Sequence, residues 1–377
     1  MKYMGSKRTM LLNGLGELIR EQSRRCTRVV DIFSGSASVS WFAAQNFKKP
    51  VFSVDLQDFA VVLSRSVIER TTCLSTQVLE SDWLDAARDR SLRYRSWCKA
   101  QAIDSASPNA GTWVKRAREL CSKERGTGSI WRAYGGYYFS PTQAATFDVL
   151  RRSLPKRGTK KWLCLASLVV AASKCAAAPG HTAQPFSTKH SAGRFLREAW
   201  LRDPIETTRS SLHTIAKLRA RVKGVARVGD AIKVASTLTE RDLVFVDPPY
   251  SGVHYSRFYH VLETVARGRC GGVEGSGRYP PLDERPTSSF SRKGEALIAM
   301  KSLFKSLAEV GCRAIVTFPN HECSNGLSGK SVLGAAEEHF MIAKRIVKTR
   351  FSTLGGNGKN RSARQPSSEL LLLLTPR

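Results

Sequence analysis

Hydrophobic and polar positions alternate between two patterns towards both ends of the chain. Short β-rich runs, such as Arg28–Phe33, Val51–Asp55 and Asp242–Val246, are each followed by a segment with helical spacing. Such alternation is typical of a parallel sheet whose strands are joined by crossover helices. We therefore predict an α/β fold, and the same pattern predicts further strands at Ala226–Val234, Arg313–Phe318, Met341–Phe351 and Glu369–Leu374.

The segments between these strands favour helices or loops. We expect the last two strands to form an antiparallel hairpin at the edge of the sheet. Residues Gly268–Ser291 are rich in Gly, Pro and Ser, which predicts a mobile loop. Helices are predicted at Ala37–Asn46, Asp58–Glu69, Asp203–Val222, Ser256–Arg267 and Gly294–Val310.

Strand signals largely disappear between about Trp83 and Trp200. Helical segments replace them, near Thr112–Glu124, Pro141–Leu154 and Lys160–Ala178. A chain of 377 residues is long enough for two domains, or for one domain that carries an insertion. We predict that residues 1–82 and 201–377 form the α/β domain and that residues 83–200 form an inserted helical domain.

The charge of the chain indicates a polyanionic partner, either nucleic acid or an anionic membrane surface, and the alternative is a charge that serves solubility alone. Sixty Lys and Arg residues against 31 Asp and Glu residues give a formal net charge of +29. The segment 83–200 holds 21 of those cations and seven of the acids, about half of the excess. Basic residues interleaved with aromatic ones suit phosphate contact and base stacking, and the alternative is a solvated insertion with an ordinary aromatic core. The aromatic cluster consists of Trp131, Tyr134, Tyr137, Tyr138 and Phe139.

Membrane, secretory and metal-binding classes find no support in the sequence. The longest apolar stretch, Trp162–Ser173, is far shorter than the roughly 20 residues that a membrane span needs. The first residues contain no apolar segment typical of a signal peptide. Nine cysteines occur without a Cys-x-x-Cys pair, which argues against a zinc or redox motif. We expect a cytoplasmic protein with no membrane association and no metal.

The strongest chemical signal is the motif Asp247-Pro248-Pro249-Tyr250, directly after a buried-type strand. An Asp at the carboxyl end of a parallel strand faces the crevice where such sheets bind ligands. The prolines fix the backbone and present carbonyl groups, and a tyrosine can stack on a flat ring. A carboxylate and a carbonyl that accept both N–H bonds of an exocyclic amine would make its nitrogen more nucleophilic. The motif therefore favours chemistry on an aminopurine.

Three weaker signals complete a ligand site. The segment Asp31–Ser38 follows the first strand, and its Gly35 permits a tight turn at a helix N-terminus. Asp55 ends the next strand, where an acid can bind ribose hydroxyl groups. Asp230 precedes the motif strand and could contact an adenine amine. Each acid alone is more often a helix cap or a turn residue, so their joint spacing carries the prediction.

Together these motifs resemble the DNA adenine methylase family, the alpha-class N6-adenine DNA methyltransferases. The opening Lys2–Arg8 segment resembles the family's aromatic residue and lysine in a glycine-containing turn. Ala37 stands where the family usually has glycine. The segments Tyr255–His260 and Gly355–Asn357 resemble restriction-associated members. The resemblance implies a Rossmann-like, seven-stranded methyltransferase sheet, with the insertion 83–200 as the DNA target-recognition domain.

The resemblance also implies a reaction and a set of site residues. S-adenosylmethionine would donate a methyl group to N6 of a flipped-out adenine in DNA. Components of a restriction or defence system are candidate partners. The residues implied in catalysis are Asp247, Pro248, Pro249 and Tyr250. The residues implied in cofactor binding are Tyr3, Lys7, Asp31, Phe33, Gly35, Asp55, Asp230 and Asp247.

Two alternatives remain open from the sequence. The first is an RNA or cytosine-N4 methyltransferase, because related motifs serve other exocyclic amines. The second is a non-catalytic nucleic-acid-binding protein on the same scaffold, against which the intact Asp247, Asp55 and Lys7 argue.

Overall fold

A computed structural model describes residues 1, 3–100, 110–123, 128–188, 190–351 and 365–377. The chain divides into two compact units. The sheet unit contains Met4–Thr71, Ala220–Tyr255 and Thr287–Arg377, and the helical unit contains Met1–Tyr3, Thr72–Arg219 and Ser256–Pro286. The expected insertion 83–200 falls within the helical unit, which extends beyond it in both directions along the sequence.

The sheet unit is built on a seven-stranded mixed sheet, as predicted from the sequence. Its strand order is β3-β2-β1-β4-β5-β7-β6. The first five strands in this order are parallel neighbours, and β7 pairs antiparallel with both β5 and β6. The strands are β1 Arg28–Asp31, β2 Val51–Asp55, β3 Val225–Val228, β4 Asp242–Val246, β5 Arg313–Pro319, β6 Phe340–Phe351 and β7 Gln365–Pro376.

Helices occupy most of the connections. In the sheet unit they flank the parallel strands, and in the helical unit they form nearly all of the regular structure. The helices are α1 Arg8–Met10, α2 Gly16–Ser23, α3 Ser38–Asn46, α4 Asp58–Ile68, α5 Gln77–Leu79, α6 Ala86–Ala100, α7 Ala110–Lys123, α8 Ser129–Tyr134, α9 Pro141–Arg152, α10 Gly158–Cys175, α11 His190–Trp200, α12 Pro204–Ala216, α13 Ala231–Ala235, α14 Tyr255–Arg267, α15 Ala296–Glu309 and α16 Gly329–Glu337. None of the helices that the structure describes combines the length and the apolar character needed to cross a membrane.

The topology fixes where a ligand can bind. Strand β1 lies between β2 and β4, so the chain leaves β1 towards one side of the sheet and leaves β4 towards the other. Open α/β sheets bind ligands in the crevice that this reversal creates beyond the carboxyl ends of the strands. Asp31 and Asp247 occupy those ends of β1 and β4.

Apolar residues of alternating strand positions build two layers of core. Val30, Val244 and Leu372 belong to the cluster on one face of the sheet, whereas Val29 and Leu243 belong to the cluster on the other. Because both faces are covered, the central strands β1, β2 and β4 are buried at nearly every position, as expected for a parallel sheet. The continuous run Asp242–Val246 predicted this burial, and all five of its residues are buried.

Two sequence predictions of secondary structure need correction. The strand expected at Ala226–Val234 ends at Val228, because Asp230 caps a short helix instead. Its Oδ1 accepts hydrogen bonds from the backbone N–H groups of Ile232 and Lys233. The segment Gly268–Ser291 contains local structure, including a bridge between Glu274 and Tyr279 and two short 3₁₀ turns.

Strand β7 provides a test of the fold, because it lies between β5 and β6. Leu372 pairs with Val316 on one side and Lys344 on the other, and its side chain is fully buried. Replacing Leu372 with Ala should lower the free energy of unfolding by about 2–5 kcal/mol, through lost burial and a residual cavity. The control is Ile346→Ala on the edge strand, where the side chain is 56% exposed and the expected loss is about 0.5 kcal/mol or less. Chemical denaturation measures both variants, and equal losses would contradict this packing.

Candidate active site

Asp247 lies at the centre of a group of polar side chains beyond the sheet. Its Oδ1 is 3.1 Å from the ammonium nitrogen of Lys7, and it accepts a 2.9 Å hydrogen bond from the hydroxyl of Thr317 on β5. Because β4 and β5 are parallel neighbours, their carboxyl ends place these two side chains together. Among the described residues both donors use Oδ1, which leaves Oδ2 as an acceptor for a ligand.

Lys7 connects Asp247 to a second carboxylate, which the sequence analysis did not identify. Its ammonium group lies 2.8 Å from Oε2 of Glu369 on β7, and only 4% of the lysine is exposed. Burial alone would lower the pKa of Lys7, but the charges of Asp247 and Glu369 outweigh it and raise that pKa well above its ordinary value. Lys7 is therefore held as a buried cation between two acids.

The protonation state of Asp247 depends on this arrangement. Burial raises its pKa from the ordinary value to about 6, although the Lys7 ammonium opposes the shift. The charge of Glu369 raises it further, and the hydroxyl of Thr317 lowers it. Asp247 is consequently ionised near neutral pH and becomes protonated in mild acid.

The rest of the motif is fixed by close contacts. The Pro249 carbonyl accepts a 2.9 Å hydrogen bond from the side-chain amide of Asn325. A Cβ atom at Gly5 would stand 2.8 Å from the hydroxyl oxygen of Tyr250, so a side chain there would displace that hydroxyl. Gly5 also has a φ of +75°, which glycine adopts without strain. The opening turn therefore requires glycine where Tyr250 approaches the backbone.

The loop after β1 adopts a compact turn next to β2. The backbone N–H of Gly35 donates a 2.8 Å hydrogen bond to Oδ2 of Asp55, and the N–H of Gln57 donates to Oδ1. Ala37 has a φ of +60°, in the left-handed region that glycine adopts more cheaply. The family resemblance predicted glycine at this position, and the backbone conformation explains that preference.

Asp31, at the start of this loop, has a buried carboxylate with one oxygen left without a described hydrogen bond. The hydroxyl of Ser40 donates a 2.6 Å hydrogen bond to its Oδ2. Its Oδ1 is buried and has no hydrogen-bond partner among the residues that the structure describes. Burial raises the pKa of Asp31 to about 7, and the nearby charges of Asp247 and Asp55 contribute. An unsatisfied buried carboxylate oxygen is costly, so a ligand donor at this position would be favourable.

Asp55 and Asp230 lie at the carboxyl ends of neighbouring strands. Burial raises the pKa of Asp55 to about 6, and hydrogen bonds from the backbone of Gly35 oppose the shift. The N–H of Gly229 donates a 3.0 Å hydrogen bond to the main-chain oxygen of Asp55. This bond holds the backbone just before Asp230 next to the end of β2. Asp230 uses one carboxylate oxygen as the cap of α13.

The remaining predicted residues occupy different surroundings. The ring of Phe33 packs edge-on against Phe290, with 5.1 Å between ring centroids, as part of the apolar core. Tyr3 belongs to the helical unit, where its ring stacks on Tyr259 at a centroid distance of 4.6 Å. The segment Gly355–Asn357, which resembles restriction-associated members, lies outside the described residues.

The aromatic cluster of the helical unit is mostly core. Four of its rings are each at most 1% exposed: Trp131, Tyr134, Tyr138 and Phe139. A nucleic-acid base therefore has no access to them, and the interpretation that these four rings stack on bases is wrong. Tyr137 alone among the five is partly exposed. The ordinary aromatic core is therefore the correct alternative for most of the cluster.

Comparisons with known proteins address the same motifs. The sequence profile described as MethyltransfD12, D12 class N6 adenine-specific DNA methyltransferase, matches residues 3–100 and 209–314. The matched ranges contain the Asp31, Asp55, Asp230 and Asp247 segments. The unmatched interval 101–208 falls within the helical unit.

Two further similarities are weaker. Modification methylase LlaI from Lactococcus lactis subsp. lactis is 24% identical over 327 residues, which cover 81% of this chain. The match spans only 44% of that methylase's length. The solved rRNA methyltransferase aviRa from Streptomyces viridochromogenes aligns over 95% of this chain and 82% of its own, at 11% identity and a TM-score of 0.28, which is too low to establish a shared fold.

The family profile covers more than half of the chain, in two blocks that hold Asp31, Asp55, Asp230 and Asp247, and the chain therefore belongs to the D12 class N6 adenine-specific DNA methyltransferase family.

Proposed function

We propose that this protein transfers a methyl group from S-adenosylmethionine to N6 of adenine in DNA. The observation that carries the proposal is the position of Asp247 beyond β4, at the reversal point of the sheet, with Oδ2 directed to no described donor. Membership of the adenine-specific family supports DNA as the substrate.

The loops beyond β1, β2 and β3 fit the cofactor. The unpaired Oδ1 of Asp31 suits an ammonium donor, such as that of the methionine moiety. Asp55 and Asp230 retain acceptor capacity for hydroxyl and amine groups of the nucleoside. The tight turn at Gly35 and Ala37 lets a ligand approach the backbone at the start of α3. S-adenosylmethionine, when bound, would supply an electrophilic methyl group on a positively charged sulfur.

The motif after β4 fits the target amine. Asp247 can accept one N–H of the amine through Oδ2, because Lys7 and Thr317 hold the carboxylate through Oδ1. We assign the second N–H to the Pro248 carbonyl, since the Pro249 carbonyl already accepts from Asn325. Tyr250 supplies a ring against which the base can stack. These acceptors favour the nitrogen as a nucleophile because they interact more strongly as its positive charge develops.

The position of Asp247 also determines how the target base must reach the site. An amine inside a duplex cannot reach a half-buried carboxylate in the crevice beyond a sheet, so the target base has to leave the helix. The likeness to a modification methylase supports a role in restriction–modification or a related defence system. We propose the helical unit as the region that recognises the target, because it contains the interval that the family profile leaves unmatched.

The role of Asp247 is tested by Asp247→Asn, which keeps the shape and removes the charge. Methyl transfer to DNA should fall at least about a hundredfold, because a preorganised acceptor is lost from the transition state. Binding of DNA, measured by fluorescence anisotropy, should change little. The control is Glu240→Gln, an exposed acid just before the same strand. A variant at Asp247 that keeps more than about a tenth of the wild-type rate would contradict the assignment.

The pH dependence of methyl transfer should reveal the ionisation of Asp247. The active form is deprotonated, so kcat/KM for DNA at saturating S-adenosylmethionine, where the cofactor already occupies Asp31 and Asp55, should fall about tenfold per pH unit below a pH of about 6. Glu369 raises the pKa of Asp247, so Glu369→Gln should move this acid limb to lower pH. The control Glu338→Gln removes an exposed acid from the sheet unit and should leave the limb in place. An unchanged or upward-shifted limb in Glu369→Gln would show that another group titrates.

Cofactor binding should depend on Asp55 more than the chemical step does. Asp55→Asn removes the charge but keeps one acceptor for the loop, and the affinity for S-adenosylmethionine should fall about tenfold or more. The rate at saturating cofactor should change less, because such contacts act in ground and transition states alike. The companion Asp230→Ser preserves the helix cap while removing the carboxylate. Calorimetry that finds unchanged affinity in either folded variant would remove that residue from the site.

A further inference from the structure

Buried polar side chains hold a short turn of the helical unit in place. Glu274 and Tyr279 pair across this turn, 274–279, through two backbone hydrogen bonds of 2.9 Å. The Gly277 carbonyl accepts from the hydroxyl of Tyr138 at 2.9 Å and lies 3.0 Å from a ring nitrogen of His260. Turn 274–279 is therefore held in one position although its sequence resembles that of a loop.

Arg278 lies in this turn with a strained backbone conformation. Its φ is +56°, a conformation in which glycine is favoured and other residues are strained by about 1–2 kcal/mol. Its Nε donates a 2.8 Å hydrogen bond to the Ala133 carbonyl, and a terminal nitrogen donates to the Arg132 carbonyl. The guanidinium lies 4.6 Å from the ring centroid of Tyr137. The side chain is thus fixed by three contacts, and a strained arginine at this position suggests that its cation has a use.

A second arginine shares the same tyrosine ring. The guanidinium of Arg118 lies 4.2 Å from the Tyr137 centroid, and its Nε donates to the Gly136 carbonyl at 3.1 Å. Burial lowers the pKa of Arg118, and the nearby charge of Arg278 lowers it further. Two cations are therefore held near each other on one aromatic ring, with terminal N–H groups left over.

Neither cation has an acidic neighbour to balance it. Among the residues that the structure describes, no carboxylate forms an ion pair with Arg118 or Arg278. The other side of the turn repeats the pattern, because Arg257 and Arg285 lie 4.6 Å and 5.6 Å from the centroid of Tyr279. Like charges that are fixed together without counter-charges favour an anionic ligand.

We propose that Arg118 and Arg278, stacked on Tyr137 beside turn 274–279, form a binding site for backbone phosphates of a nucleic acid. Guanidinium groups recognise phosphate through paired N–H donors, and prior fixation of the side chains lowers the entropy lost on binding. A partly exposed tyrosine flanked by arginines suits a nucleic acid better than an acidic protein segment, because it can also contact sugars or bases. The inference rests on the proposed function, which supplies DNA as the polyanion.

Only part of the site lies in the segment 83–200 that the sequence indicated. Arg151 belongs to the same segment, but it donates from Nε and a terminal nitrogen to the carbonyls of Val265 and Ala266 at the end of α14. That arginine therefore stabilises a helix C-terminus, as Arg278 also does at the end of α8, but Arg278 additionally stacks with Arg118 on Tyr137, a contact for which Arg151 has no described counterpart. Arg278 follows the catalytic motif in sequence and was not predicted to contact DNA, yet it packs with residues of the insertion.

The test is the salt dependence of DNA binding by the full-length protein. A fluorescent duplex of arbitrary sequence is titrated at several salt concentrations, without cofactor. The logarithm of the association constant falls linearly with the logarithm of the salt concentration. Each phosphate contact that a substitution removes should make this negative slope shallower by about one unit. The variants are Arg118→Gln, Arg278→Gly, which suits the positive φ of the turn, and the double substitution. The control Arg241→Gln removes an exposed cation before β4, at the opposite end of that strand from Asp247.

The expected result is a reduced slope in each single variant, a larger reduction in the double variant, and the wild-type slope in the control. Thermal unfolding at the wild-type temperature shows that the variants are folded. A folded double variant with the wild-type slope overturns the site, as does an equal loss of slope in Arg241→Gln, which would reflect net charge alone. Because the assay measures no methyl transfer, a wild-type protein that binds DNA through these residues but methylates none would sink the proposed function and leave the site standing.

Discussion

The arrangement of the active site depends on one buried lysine. Lys7 places a positive charge between Asp247 and Glu369, and both carboxylates lie within 3.1 Å of its nitrogen. Removing such charges from water is expensive, and each is tolerated only because its partners remain. The three side chains come from the opening turn, the end of β4 and the antiparallel strand β7. This contact therefore joins the parallel part of the sheet, its antiparallel hairpin and the first residues of the sheet unit.

The same lysine determines how Asp247 can act. By occupying Oδ1 together with Thr317, it orients the carboxylate and leaves Oδ2 to a ligand. Burial counteracts the lysine's effect on Asp247, and the charge of Glu369 adds to that opposition, so that the pKa of Asp247 is raised to about 6. An acceptor of intermediate basicity suits an amine whose N–H bonds become more acidic during reaction. The family resemblance assigned Lys7 to the cofactor, whereas its described ion pairs are with these two acids.

The sequence predicted the parts of the fold that local patterns encode. Runs with apolar residues at consecutive positions, Val51–Asp55 and Asp242–Val246, coincide with β2 and β4, because burial on both faces leaves a clear signal. The length of β3 was overestimated, since Asp230 acts as a helix cap rather than as a strand residue. Glu369 and Thr317 were not identified, because their contacts with Lys7 and Asp247 span 362 and 70 residues of sequence. The hydrogen bond by which Arg151 caps the end of α14 was not predicted either, because it spans 114 residues of sequence.

The central claim is most directly tested by identifying the methylated nucleoside. The purified protein is incubated with duplex DNA, or with RNA, and S-adenosylmethionine carrying an isotopically labelled methyl group, and the nucleic acid is digested and analysed by mass spectrometry. The proposed function predicts label in N6-methyldeoxyadenosine from DNA, and its absence when Asp247→Asn replaces the wild-type protein. Label in N4-methylcytosine, label in RNA alone, or no label in any nucleoside would contradict it.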